Sequence, residues 1–280
     1  LVSLPGQDPT VSQNFDWFVQ RARNAGPGWH CMTNAEWAAL ALWCWKNGYM
    51  PTGNNNWGRD HAEKFQTGRR VDGNAPGDES GTGRTYTGSG PVAWNHDGSS
   101  SGIADLNGNI YEWAPGLRLM DGEIQVIPDN DAALNATDMS PGSSEWRAIL
   151  VSDGSLVSPG TSGTLKYDAP GGTLELSDVI TNMQGDPGDN SNGDSSSIAL
   201  QSLTEGNGIT APDLAKALAL FPVDSNLESD RLYVRNYGER LPRRGGHRSA
   251  VSHAGVFYLH LSTPRTYTNT YGGSRPAFVI

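Results

Sequence analysis

The sequence predicts an α+β fold that is rich in loops, with two helices packed on antiparallel sheets. Glycine and proline account for 35 and 17 of the 280 residues, and charged residues for only 18%. This composition is typical of turns and short strands rather than of long helices. Apolar residues recur at helical spacing in two early segments, and alternation typical of strands marks the end of the chain.

Both helices are predicted near the N-terminus. An extended segment at residues 1–13 precedes the first, whose apolar positions recur at helical spacing over Phe15–Ala22. The second begins at a capping box formed by Thr33 and Glu36, and Asn47-Gly48 ends it. Because aromatic stripes at this spacing are nearly always core, both helices are expected to pack on the sheet formed by the C-terminal strands.

Sequence patterns in the middle of the chain predict short strands, a turn and a short helix. Two strands are expected at Leu117–Met120 and Glu123–Ile127, with Asp121-Gly122 as the turn between them. A short helix is expected over Pro212–Phe221, with Thr210 or Ala211 at its start and the proline in its first turn. Further runs typical of strands are Trp146–Val151, Gly163–Tyr167, Gly172–Leu176 and Arg231–Arg235.

Charge and cysteine content narrow the class of function. A net charge of −10 argues against a nucleic-acid binder, and no stretch reaches the roughly 20 apolar residues of a membrane span. Cys31 and Cys44 are the only cysteines; helical spacing favours a buried Cys44 thiol, although a disulfide between the two stays open. No acidic residue follows Glu239, so the C-terminal end has a modest positive bias from Arg240, Arg243, Arg244, Arg248, Arg265 and Arg275.

The last segment, residues 243–280, combines an apolar framework with polar and aromatic residues. Phe257, Leu259 and Leu261 alternate with polar neighbours, so this strand is predicted to show one face to the core and the other to water. Tyrosine offers rigid amphipathic area and serine or asparagine adaptable hydrogen bonds, which suits a binding surface. The candidate ligand-binding residues are His247, Arg248, Ser249, Ser252, His253, Tyr258, His260, Ser262, Thr263, Tyr267, Asn269, Tyr271 and Ser274.

The residue types absent from residues 245–280 include five that share a property of their codons. These are Trp, Met, Lys, Glu and Gln, although the whole chain has nine Trp and five Met. A codon that is randomised at its first two bases and has a pyrimidine at the third cannot encode any of the five.

Three segments carry a resemblance to a known family. The tail framework includes Gly245-Gly246, Ala254–Phe257 and Arg275–Ala277; upstream, Trp29–Trp37 reads WHCMTNAEW and Asp105–Trp113 reads DLNGNIYEW. The tail resembles the variable region of proteins diversified by diversity-generating retroelements. The first upstream segment is similar to that family's GWHLMTNAEWAA, and the second resembles a signature shared with formylglycine-generating enzymes.

The resemblance implies a C-type-lectin-like fold of the formylglycine-generating-enzyme type. Residues 14–280 would form this domain, with residues 128–222 as an insertion and residues 243–280 as the variable region. The implied function is non-catalytic binding of a cell-surface protein or glycan of a target cell. A phage tail-tip receptor binder or a displayed adhesin fits this description, and would work on the virion surface or outside the cell. Some phage members of the family form homotrimers; for this chain that stays open.

The alternative is an oxidase of the formylglycine-generating type. That chemistry, as the resemblance implies, requires a reactive cysteine pair near the C-terminus, and no cysteine follows Cys44. No Ser-His-Asp order, P-loop or HExxH helix offers another catalytic route. We therefore expect a binding protein with no catalytic residues, in which Glu112 beside Trp113 is structural.

Neither of two metal sites is favoured, so no cofactor is expected. His247, His253 and His260 could form a three-histidine site, but strand periodicity would place His253 and His260 on opposite faces. The loop Gln184–Asp194 carries carboxylates that could hold a structural calcium ion. Their spacing does not fit the D-x-[DN]-x-[DN]-G pattern, which favours a solvated loop.

Overall fold

The computed structural model describes residue 1, residues 3–185 and residues 195–279, and shows a mixed α+β protein in which short strands predominate. The α-helices of these residues are α1 (Phe15–Arg23), α2 (Asn34–Lys46) and α3 (Asp213–Ala217). The strands are β1 (Trp29–Cys31), β2 (Tyr111–Trp113), β3 (Leu117–Met120), β4 (Glu123–Val126), β5 (Arg147–Ile149), β6 (Leu156–Val157), β7 (Lys166–Asp168), β8 (Glu175–Ser177), β9 (Ser196–Ala199), β10 (Thr204–Glu205), β11 (Arg231–Val234), β12 (Glu239–Arg240), β13 (Arg243–Arg244), β14 (Leu259–Leu261), β15 (Gly272–Gly273) and β16 (Pro276–Phe278).

Local chemistry explains where the first two helices begin and end. The side chain of Asn14 caps α1 by accepting a hydrogen bond from the Trp17 N–H. The predicted capping box of α2 is confirmed: the Thr33 hydroxyl accepts from the Glu36 N–H at 3.2 Å, and the Glu36 carboxylate accepts from the Thr33 N–H at 2.8 Å. Gly48 follows α2 at φ +64°, a left-handed conformation that glycine adopts without steric cost.

The strands form three sheets. β1 pairs with β16; a second sheet has the order β10-β8-β7-β4-β3-β12, with β5 and β6 branching from β4; the third has the order β15-β2-β13-β14-β11-β9. The predicted β3–β4 hairpin is confirmed, and Asp121 and Gly122 in its turn both have positive φ. The expectation of purely antiparallel sheets is wrong, because β11–β14, β2–β15 and β8–β10 pair in parallel. Each of these pairs is joined by a crossover instead of a tight turn.

Residues 128–222 supply β5 to β10 and α3. Three of the predicted strand runs are present as β5, β7 and β8, each starting one to three residues later than expected. The predicted short helix is α3, which starts at Asp213 with Pro212 in the capping position and no side-chain cap. β9 from the same region is the edge strand beside β11. These residues therefore extend two of the sheets instead of forming a separate layer of loops.

The main core joins α2 to the C-terminal strands, as predicted for this helix, and it also contains residues of the second sheet and of α3. Trp37 and Cys44 of α2 share one cluster of buried side chains with Leu259 and Leu261 of β14. The Trp37 indole N–H also donates to the carbonyl of Val256 at 2.8 Å. Leu259 and Leu261 are fully buried in this cluster, so one face of β14 is closed to solvent.

A second cluster of buried side chains holds α1. Phe15 of this helix meets the Trp113 ring edge-on, with centroids 5.9 Å apart, and Cys31 and Leu241 pack in the same cluster. Cys31 and Cys44 are thus buried in different clusters and are not disulfide-bonded. In the part of the chain that the structure describes, no helix has the length and apolar character to cross a membrane.

Buried ion pairs attach the tail to the rest of the fold. The Arg275 guanidinium makes a bidentate contact with the Glu112 carboxylate and donates to the carbonyls of Ala104 and Asp105. Arg265 likewise pairs with Glu239 through two hydrogen bonds of 2.8 and 2.9 Å. This geometry agrees with the predicted structural role of Glu112, because both oxygens of its carboxylate accept hydrogen bonds from Arg275.

Candidate binding site

Strand β14 directs its side chains alternately to two faces of the third sheet. Phe257, Leu259 and Leu261 are at most 1% exposed and lie in the core, so the predicted register is confirmed. His260 points to the other face, where Tyr233 of β11 and Arg243 of β13 are its register partners on either side. Neighbouring strands thus place a tyrosine, a histidine and an arginine in one row across the sheet.

Six rings on this side touch one another and form what we call the aromatic face: Tyr111, Tyr233, His247, Tyr258, His260 and Tyr271. Tyr111 is at the centre, with its ring centroid 4.7 Å from that of His247 and 5.6 Å from that of Tyr258. His247 also stacks on Tyr271, with centroids 4.8 Å apart and planes at 28°. Rigid rings in mutual contact present amphipathic area that loses little side-chain entropy on binding.

The candidate residues predicted from the sequence do not include two of the six rings. Tyr111 stands two residues before Trp113 in the DLNGNIYEW segment, and Tyr233 stands between Leu232 and Val234 in a strand that was predicted correctly. The buried neighbours of Tyr233 imply that its side chain points to the opposite face, so the same period-two alternation that found His260 also marks Tyr233. For Tyr111 the signal is weaker, because all three residues of β2 are buried.

The loop that carries His247 is held by the framework through its backbone. The Val251 N–H donates to the Asn55 carbonyl at 2.9 Å, and the Arg248 carbonyl accepts from the Trp57 N–H at 2.6 Å. Gly246 allows the turn into this loop: it adopts φ +78°, and a Cβ there would lie 2.6 Å from that of Ala254. Main-chain hydrogen bonds therefore hold the loop in place.

Two arginines accompany the rings without any carboxylate partner among the described residues. The guanidinium carbon of Arg243, a residue only 2% exposed, lies 4.2 Å from the ring centroid of Tyr111. That of Arg248 lies 5.1 Å from the ring centroid of Trp57 and 4.9 Å from that of Tyr271. Both cations are stabilised by aromatic faces, yet Nε and Nη1 of each are buried without a hydrogen-bond acceptor.

The imidazoles of the site add no positive charge at neutral pH. Burial, together with the cations of Arg248 and Arg243, lowers the pKa of His247 to about 3. Burial and the same Arg243 cation lower the pKa of His260 well below its usual value. Burial also raises the pKa of Tyr111 to about 12, so its phenol stays protonated. The charge of the aromatic face therefore resides on its arginines.

The expectation that all candidate residues face water is wrong at three positions. Tyr258 is 1% exposed, Ser262 3% and Thr263 0%. The Tyr258 ring packs among other rings, and its hydroxyl donates to that of Tyr111 at 3.0 Å. The Ser262 hydroxyl is 3.3 Å from Nε2 of His260. Alternation correctly indicated the face that Tyr258 and Ser262 take, but neighbouring side chains cover both residues; Thr263 lies beyond the end of β14.

The other candidate residues divide into neighbours of the aromatic face and residues outside it. Four border it: Arg248, Ser249 beside His247, Tyr267 beside Arg243, and Asn269, whose side-chain oxygen accepts from the Tyr271 N–H at 3.3 Å. Three make no described contact with its rings: Ser252 and His253, in the short turn Val251–His253, and Ser274. The predicted single cluster is thus present only in part.

Ser274 belongs to a cavity elsewhere in the protein. Its hydroxyl donates to the Trp113 carbonyl, and it lines a cavity of about 640 Å³ under the N-terminal segment. The ionic groups there are largely paired, Glu112 with Arg275 and Asp8 with Arg84. The residues of the aromatic face do not line this cavity.

No metal site emerges from the residues that the structure describes. None of their His, Cys, Asp and Glu side chains form a group of three or more that could hold an ion, and this includes His247, His253 and His260. The calcium hypothesis concerns a loop of which residues 186–194 lie outside the described residues.

Comparison of the sequence with protein-family models gives no match, and no curated protein matches it significantly.

Proposed function

We propose that the protein is a non-catalytic binding protein whose tail forms a diversified ligand site on a C-type-lectin-like scaffold. Its partner would be a protein or glycan on the surface of a target cell, as for a phage tail-tip receptor binder or a displayed adhesin. The observation that carries this proposal is the segregation within the tail. The framework residues Ala254, Val256 and Phe257 are buried and Arg275 is ion-paired, whereas His247, Tyr258, His260 and Tyr271 assemble into one aromatic face.

The framework residues of the tail support the proposal that side chains at the site can change without disturbing the scaffold. Arg275 and Arg265 pair with Glu112 and Glu239, and Arg244 donates to the Asn34 side chain at 3.0 and 2.7 Å. All three arginines lie outside the set of candidate binding residues. Because the ties between the tail and the fold use framework residues, side chains on the aromatic face can change with little effect on them.

The thiols do not support the oxidase alternative. Burial raises the pKa of Cys31 to about 12 and that of Cys44 to about 11. Neither therefore forms a thiolate near neutral pH, and the thiolate is the reactive form of cysteine. The aromatic face itself contains neither a cysteine nor a carboxylate.

Serine substitutions at half-buried tyrosines test the proposal. Tyr267→Ser and Tyr271→Ser should weaken binding by about 2 kcal/mol or more, roughly 30-fold in Kd, because aromatic anchors carry much of an interface. The melting temperature of Tyr271→Ser should change little, whereas that of Tyr267→Ser should fall, because Tyr267 packs against the second buried cluster. Partners are found by screening surface proteins and glycans of bacterial cells, and affinity is then measured on the purified pair. Tyr258 is unsuited to this test, since it is buried.

Tyr86→Ser is the matched control, because Tyr86 is a half-buried tyrosine that lies against Arg69 outside the aromatic face. It should bind like the wild type. Wild-type affinity in both site variants would overturn the proposal. The retroelement origin has its own test in the gene neighbourhood, where a near-copy of the tail coding sequence beside a reverse transcriptase is expected.

A further inference from the structure

We propose that the aromatic face binds a carboxylate, presented by a protein partner as an Asp or Glu side chain, and that Arg248 is the residue that holds it. This inference rests on the binding function proposed above and specifies the ligand chemistry of the same site. It follows from the unpaired donors, the uncompensated charge and the depth of the site.

Besides the Thr263 hydroxyl, which can donate or accept, the polar side-chain atoms left without partners at this site are N–H donors. They are Nε and Nη1 of Arg243, the same two nitrogens of Arg248, and Nδ2 of Asn269. The amide orientation of Asn269 is set by its oxygen, which accepts from the Tyr271 N–H. Buried donors without acceptors are costly, and an ionised carboxylate is a group that only accepts. A ligand with this chemistry satisfies donors that the protein itself leaves unpaired.

Arg243 and Arg248 differ from the other arginines of the described residues. No other described arginine has two buried nitrogens without an acceptor. Arg70 and Arg84, in the segment next to Arg248, are already paired with Asp72 and Asp8 at 2.7 and 2.8 Å. Since the imidazoles are neutral, two guanidinium groups remain without an ion-pair partner among the described residues, and this favours an anionic ligand over a neutral or cationic one.

The two arginines lie at different depths, which assigns them different roles. Arg248 is half-buried and contacts two rings, so its guanidinium is held in place before the ligand arrives. Arg243 is 2% exposed, with the ring centroids of Tyr111 and Tyr267 at 4.2 and 5.1 Å from its guanidinium carbon. Arg248 therefore meets the carboxylate, and Arg243 contributes positive potential from below.

The position of Arg248 beside half-buried rings favours a ligand carboxylate on a protein side chain over one on an acidic sugar. The rings beside Arg248, those of Trp57 and Tyr271, are themselves half-buried. A carboxylate on the narrow methylene stem of glutamate passes between such rings. In a uronic acid the carboxylate is attached directly to a bulky pyranose, which would have to displace them.

The test uses small probes on the full chain and does not need the natural partner. N-acetyl-glutamate amide and its neutral isostere N-acetyl-glutamine amide are titrated while the Trp57 indole N–H is followed by nuclear magnetic resonance. We expect saturable shifts with the glutamate probe and none with the glutamine probe. Equal shifts with both, or shifts with neither, would overturn the proposal, as would tighter binding of glucuronate.

Arginine variants locate the interaction. Arg248→Gln should weaken binding of the glutamate probe by about tenfold or more, because it removes a charged, bidentate donor. Arg69→Gln is the matched control, since Arg69 is an exposed arginine lying 4.3 Å over the Tyr86 ring, and it should leave probe binding unchanged. An equal loss in the two variants would contradict a specific site. Arg248→Lys, which keeps the charge without the fork, should bind with intermediate affinity.

The same variants separate this inference from the proposed function. If Tyr271→Ser abolishes binding of a natural partner and Arg248→Gln does not, the carboxylate inference is wrong and the binding face stands. If neither variant affects that partner, the binding face itself is wrong.

Discussion

The two faces of β14 differ in what they leave unpaired. On the core face, Leu259 and Leu261 are fully buried in the main cluster and present no polar side-chain atom that needs a partner. On the aromatic face, Arg243 is almost as deeply buried, yet two of its nitrogens have no acceptor. Burial of side chains on the core face thus stabilises the fold. On the aromatic face, burial leaves hydrogen-bond donors without acceptors, and a ligand can supply those acceptors.

The arginines of the tail show the same difference. Arg265 and Arg275 meet carboxylates from other segments and hold the chain end in place. Arg243 and Arg248 contact aromatic rings instead of carboxylates. One residue type therefore serves the fold at some positions and the site at others, and only its partners distinguish the two roles.

Truncation on the core face should give the largest effect. Phe257→Ala removes a side chain that is 1% exposed and should lower the free energy of unfolding by about 3–5 kcal/mol. Thermal and denaturant unfolding measure the change, with Tyr271→Ala on the other face as the comparison. An unchanged melting temperature for Phe257→Ala would show that the two faces have been assigned the wrong way round.

The second-largest effect on stability should come from replacing an arginine that is paired with a carboxylate, in contrast to one that is not. Arg275→Met leaves Glu112 as a buried, uncompensated carboxylate and should cost about 3 kcal/mol or more. Arg248→Met removes no hydrogen bond or ion pair of the described residues and should change stability by less than about 0.5 kcal/mol. Chemical denaturation of both variants checks the ranking. Similar losses would mean that Arg248 also contributes to the fold.

The smallest effect concerns pH. The folded-state pKa of His247, about 3, lies below its ordinary value of 6.5. The neutral ring is therefore favoured by folding, and its contribution to stability is complete above pH 6.5 and is lost as the pH falls towards 3. His247→Asn should flatten the decline in melting temperature over this range, but only slightly, since the residue is half-buried. The same decline in variant and wild type would contradict the pKa shift.

Much of the fold could be predicted because the relevant signals are local. The Thr33–Glu36 capping box and the Asp121-Gly122 turn depend on residues within a few positions of one another, and both predictions are confirmed. The predicted strand at Arg231–Arg235 is present as β11, and the strand containing His260 as β14. Of the candidate site, the sequence indicated four of the six rings.

The remainder was decided by contacts between distant segments. Arg275 pairs with Glu112 across 163 positions of the chain, whereas Arg243, in the same tail, meets only rings and the His260 imidazole. No pattern of neighbours distinguishes these two arginines. Periodicity and capping are set by sterics and hydrogen bonds over a few residues, so the sequence alone determined the helices, the hairpin and the face that Tyr258 takes. Whether that face is open, and whether a buried charge finds a partner, depends on which strands pack together, and only the tertiary structure decided that.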